Sequence, residues 1–183
     1  MKTFVFRIVV DTEEDIFRDI ELREDQNFED LHDALIHAFG FEGDQMASFY
    51  MSNENWEKGE EISLMDVGLF EGEQSSPSMK GTLISHKISE KNQKVLYVYD
   101  FLKMWIFYIE VIHMDVVSND KVYPAILREF GEAPDENDKD FPDIMEGIDL
   151  GGGSDPEEDD LFDDDPFDEF EDGYEDYGNY DDF

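Results

Sequence analysis

Near the start of the chain, Phe4, Phe6, Ile8 and Val10 alternate with other residues, the two-residue period of a strand with one buried face. The polar run Asp11–Asp15 predicts a turn, and Ile16–Leu22 (IFRDIEL) predicts a second short strand. Together they read as an antiparallel hairpin, with F-R-I at 6–8 facing F-R-D-I at 17–20. Asn27 is a helix N-cap by type, and Glu29 and Asp30 suit the positive end of a helix dipole. Phe28, Leu31, Leu35, Ala38 and Phe39 then recur every three or four residues, one apolar helical face that Gly40 ends.

Further along, Met46–Met51 predicts a strand, and residues 62–70 read as either a strand or a short turn. Residues 74–78 (QSSPS) form a surface loop. Thr82–Ile88 suggests one or two helical turns with Leu83, Ile84 and Ile88 inward. The stretch YVYDFLKMWIFYIEV at 97–111 is the most apolar and aromatic in the chain, but Asp100, Lys103 and Glu110 interrupt it, and a membrane helix needs about 20 apolar residues. It reads as two strands, Val95–Tyr99 and Met104–Met114, joined by a tight turn at Asp100–Lys103. The second is apolar on both faces, the pattern of a central covered strand, so an aspartate at Met104 or Ile106 is expected to unfold the domain. Val122–Phe130 predicts a short helix starting at Pro124. The fold class expected is α+β, an antiparallel sheet with a few packed helices, followed by a disordered acidic C-terminal tail.

Charge changes that picture only at the end. The chain has 183 residues, with 50 acids against 13 bases for a net −37. Sixteen of those acids, and no Lys or Arg, fall in residues 151–183, which leaves 34 acids against 13 bases before them. Residues 1–134 are expected to form the domain, 135–154 (with GGGS at its end) a linker, and 155–183 a tail that does not fold alone. Even the domain is acidic, which argues against direct binding to nucleic acid or an anionic membrane surface and for a basic protein partner. There is no cysteine, hence no disulfide, thiol nucleophile or thiolate zinc site. The start reads as a strand, without a cleavable leader pattern, and the expected location is cytoplasmic.

Candidate chemistry is sparse, and no cofactor or metal is expected. His32 and His37 are five residues apart, poor spacing for one helical face, and His86 and His113 are isolated. Asp100 is the one weak catalytic candidate, set against a turn role in which Asp bonds its own nearby backbone. Tyr97, Tyr99, Trp105, Phe107 and Tyr108 could line a groove, though aromatics at strand spacing usually form core. In the tail, Phe167, Phe170, Tyr174 and Tyr177 follow 3, 4, 3 spacing behind an Asp165-Pro166 cap, a segment suited to fold or dock on a basic, partly apolar surface.

The order of these segments resembles the plasmid pRiA4b ORF-3-like family, also catalogued as passenger proteins of an insertion element under a resolvase-type label. The carriers are FRI, IFRDIEL, FEDLHDALIHAFGF, YVYDF with Trp105 after it, and YPAILREFGEAPDE, over about residues 4–136. The resemblance implies a compact α+β domain more firmly than any activity. A serine recombinase clusters arginines around its serine, whereas this chain has only Arg7, Arg18, Arg23 and Arg128. Relatives commonly follow YVYDF with Gly-Asp, then Trp, Glu and His. Here Leu102, Lys103 and Met104 precede Trp105, and Ile106 and Phe107 follow it, so a polar cluster is replaced by apolar groups. The favoured reading is a non-enzymatic interaction or scaffold domain whose acidic tail binds a basic protein. Two alternatives remain, a metal-dependent hydrolase or nuclease built on Asp100, and a DNA mimic.

Overall fold

The computed structural model describes residues 1–65 and 76–139. Its first hairpin joins β1 (Lys2–Val10) to β2 (Phe17–Arg23), antiparallel with Phe6 opposite Ile20 and Ile8 opposite Arg18. The helix α1 (Phe28–Phe39) carries both end signals. Asn27 and Asp30 exchange side-chain-to-backbone hydrogen bonds at 2.9 Å each, a capping box, and Gly40 closes the helix at φ 71°, where a side chain is strained. The strands β3 (Ala47–Ser52) and β4 (Lys58–Ser63) follow. The single turn α2 (Ile84–Lys87) is held by backbone bonds from Ile84 to Gln26 and from Ser85 to Glu24. The second hairpin is β5 (Lys94–Tyr99) with β6 (Trp105–Val116), and the last strand is β7 (Ala125–Phe130). All pairings are antiparallel, in the order β4-β3-β5-β6-β1-β2-β7.

The core lies between α1 and one face of the sheet. Phe28, Leu31, Leu35 and Phe39 meet Phe4, Phe6, Ile8, Phe49, Tyr97, Phe107 and Ile109, all buried. Phe28 packs edge-on to Phe49 at 5.3 Å, and Phe39 to Phe107 at 5.0 Å, the tilted geometry that aromatic quadrupoles favour.

Two expectations need correction, and one ambiguous stretch is settled in part. Along β6, Trp105, Phe107, Ile109 and Val111 are buried, whereas Ile106, Tyr108, Glu110 and Ile112 are half-exposed. The strand covered on both faces is instead its neighbour β5, buried from Val95 through Tyr99. The reason is that helix α1 covers one face only, and over the other face of β6 Trp56 shields Tyr108. Met104 precedes the strand, in the turn, at φ 54°. The expected helix at Val122–Phe130 is a strand: β7 pairs with β2, bringing Phe130 onto Phe17 at 5.1 Å, nearly parallel. Its six residues are too few for a helix to stand on propensity, so the open edge of β2 decides. Finally, of residues 62–70, Ile62 and Ser63 end β4, and 66–70 lie outside the described residues.

The buried guanidinium of Arg18 ties three elements. It donates to the carbonyl of Ala38 at the end of α1 (3.0 Å) and to those of Phe17 and Phe130 (2.9 Å each). A cation at a helix C-terminus is favoured by the dipole, and the side chain also lies over the Phe39 ring. Gly131 follows β7 at φ 75°, where a Cβ would sit 2.9 Å from Ile16 and 3.0 Å from the Asp15 carbonyl.

These positions reassign the destabilising sites. Phe107→Ala should cost about 3–5 kcal/mol in urea unfolding, by leaving a cavity under α1. Met104→Gly should be neutral or stabilising by up to about 1 kcal/mol, because it relieves a left-handed backbone. Equal losses from the two variants would contradict the burial pattern of β6.

Candidate functional site

Of the residues flagged by the sequence, Asp100, Tyr99 and Trp105 lie at the turn of the β5–β6 hairpin, and their polar atoms bond within the domain. Asp100 is buried at φ 55°, and its Oδ1 accepts from the backbone N–H groups of Leu102 (2.9 Å) and Lys103 (3.2 Å). Its own N–H donates to Met46 and its carbonyl accepts from Met104. The carboxylate therefore builds the turn, the reading weighed against catalysis.

Behind it, His32 is buried on α1 with Nδ1 2.7 Å from the Tyr97 hydroxyl. Burial pushes the His32 pKa down, opposed by nearby Asp33, and pushes Tyr97 well above the ordinary tyrosine value. Both are neutral at pH 7, a polar contact inside the core. His37, His86 and His113 are exposed. Among the described residues no three His, Asp or Glu side chains converge as metal ligands.

One participant lies in the stretch expected to be linker. Glu136 accepts from the Tyr99 hydroxyl at 2.8 Å through Oε1 and from the Glu42 N–H at 2.7 Å through Oε2. Gly43 N–H also donates to Tyr99 (3.0 Å), and the Glu136 carbonyl accepts from Trp105 Nε1 and Lys103 Nζ, each at 3.2 Å. Lys139 lies over the Trp105 ring and donates to the Met104 carbonyl. Under this strap Phe41 packs on Tyr99, Trp105 and Phe107. Desolvation first, and then Glu136, raise the Tyr99 pKa far above its usual value, so the hydroxyl stays a donor. The only forewarning in the sequence was the terminal PDE of the YPAILREFGEAPDE segment.

Besides a groove walled by Glu54, Glu90, Lys91 and Lys94, two surface grooves carry carboxylates and no lysine or arginine. One, about 440 Å³, runs between α1 and β7, with an apolar floor of Ala34, Pro124 and Ile126 and a rim of Asp30, Asp33 and His37. The other lies between the β1–β2 turn and the strap, and is bordered by Glu13, Glu14, Glu132, Asp135 and Asp138. The tail residues Phe167, Phe170, Tyr174 and Tyr177 lie outside the described residues.

Sequence comparison decides the family. The profile described as plasmid pRiA4b ORF-3-like protein matches residues 2–170. The chain belongs to the plasmid pRiA4b ORF-3-like family. No curated protein matches it. Among solved structures it is similar to a protein of unknown function from Methanosarcina mazei Go1, with 22% identity, a TM-score of 0.62, and coverage of 75% of this chain and 74% of the other. That likeness is one of fold. The family match extends past the strap, which agrees with residues 135–139 being bonded to the core. No helix among the described residues is long and apolar enough to cross a membrane.

Two measurements check this site. Glu136→Ala should cost about 1–3 kcal/mol, because it strands the hydroxyl of buried Tyr99, whereas exposed Glu90→Ala should change stability by less than about 0.5 kcal/mol. For His32, the unfolded ring protonates near pH 6.5 while the buried ring resists, so its contribution is present above that pH and is lost as pH falls below it. Wild type should therefore lose more stability than His32→Gln between about pH 7.5 and pH 5.5. Parallel pH curves for the two would show that the ring is not buried neutral.

Proposed function

We propose that this protein is a non-enzymatic scaffold that recruits a basic protein partner, with the domain as platform and the aromatic-interleaved acidic tail as a second contact. The observation that carries the reading is how the polar groups at the hairpin mouth are used. The Asp100 carboxylate caps its own turn, His32 bonds Tyr97, and Glu136 straps the C-terminal segment, while two of the three accessible grooves are bordered by carboxylates and no lysine or arginine. A net charge of −37 favours encounter with cations and disfavours phosphate backbones.

The test is co-purification with the full-length chain at two salt concentrations. Basic proteins should be captured at about 0.1 M salt and lost at about 1 M, as the screening length falls from about 10 to about 3 Å. Serine at Phe167, Phe170, Tyr174 and Tyr177 keeps the charge and should cut capture severalfold, since the tail's aromatic anchors are gone. Capture that ignores salt, or that favours acidic proteins, contradicts the reading.

A further inference from the structure

The two edges of the sheet are unlike. At one edge, β4 offers Lys58, Glu60 and Glu61, the charged residues that discourage strand addition. At the other edge, β7 pairs only with β2 among the described residues; its two charged side chains are turned to neighbours, Arg128 over the Phe17 ring and Glu129 3.8 Å from Arg18, and it exposes Ile126 (38%), Leu127 (46%) and Phe130 (48%). Natural sheets seldom leave an apolar edge bare unless something adds to it. Beside that edge runs the groove with its apolar floor and its aspartates, of which Asp33 is exposed.

We propose that the outer edge of β7, with the groove against α1, is a strand-addition site for an extended basic segment of a partner protein. This rests on the scaffold reading and gives it a location. An added strand takes up the backbone donors and acceptors of β7, and its side chains alternate between the two faces. On the helix side an apolar residue meets Ile126 and Ala34 while a Lys or Arg reaches Asp33; on the other side apolar residues cover Phe130. Charge selects this occupant over two others. The acidic tail of the same chain would bring carboxylates to Asp30 and Asp33, and a second copy would bring another −37 to the contact.

The experiment uses full-length protein and a synthetic peptide of about ten residues alternating lysine and valine, with a block-ordered peptide of the same composition as control. Fluorescence anisotropy should show the alternating peptide binding more tightly, and hydrogen exchange should slow at β7 amides when it binds. Asp33→Lys combined with Ile126→Lys should weaken binding at least about tenfold without lowering the melting temperature, and Leu127→Lys provides a second exposed variant. Salt-sensitive binding of both peptides with β7 exchange unchanged would overturn the edge assignment while leaving the basic-partner reading intact. Failure of both peptides to bind removes both readings. Self-association without peptide, abolished by Ile126→Lys, would give the edge to a second copy and sink the proposal.

Discussion

One helix has to cover a sheet of seven strands. Twelve residues make α1 about 18 Å long, while seven strands at about 4.8 Å spacing span nearly 30 Å. The helix alone leaves part of the core face exposed. Large rings close the gap: Phe49 and Tyr97 flank the helix at 4.6 Å from each other, and Phe41, Tyr99 and Trp105 fill the space beyond its C-terminus. The strap at residues 132–139 then lies over this second cluster. The presence of Tyr97, Tyr99 and Trp105 in the YVYDF…W segment follows from this geometry, because smaller side chains would leave voids around the helix; Phe101 of the same run is exposed.

Covering a core with loops in place of a second helix carries a polar obligation. Loop backbone and tyrosine hydroxyls are drawn inside, and each buried polar group needs a partner. Glu136 serves Tyr99 and the Glu42 amide together, His32 serves Tyr97, and Asp100 serves the amides of its own turn. Arg18 does the same for the end of α1 and the start of the β7–strap junction. No buried side-chain nitrogen or oxygen among the described residues lacks a partner. Groups that look like chemistry in the sequence are thus answers to a packing problem.

This explains which parts were legible in advance. The β1–β2 hairpin, α1 with both caps, and the β5–β6 hairpin depend on local period and turn chemistry, and both are written in consecutive residues. The β7 segment AILREF was not legible, because its apolar spacing also fits a helical turn and only the open edge of β2 settles it. Glu136 was invisible for a related reason. Its partners, Tyr99 and Glu42, lie 37 and 94 residues away, and nothing in PDEN marks a half-buried acceptor. The resemblance to the family reached that residue, whereas periodicity stopped before it.

The same economy shapes the electrostatics outside. The 13 basic side chains are few, and most have tasks within the domain. Arg18 caps a helix, Arg7 is bidentate to Asp19, Lys121 reaches buried Glu21, Lys87 pairs with Glu60, and Lys103 and Lys139 hold the strap. Two of the acids they neutralise, Asp19 and Glu21, are buried in the sheet. Carboxylates bordering the grooves, such as Asp33 and Glu132, have no such internal cation beside them among the described contacts. The field at the two carboxylate-bordered grooves is therefore more one-sided than the ratio of acids to bases implies, since low-dielectric walls focus it there.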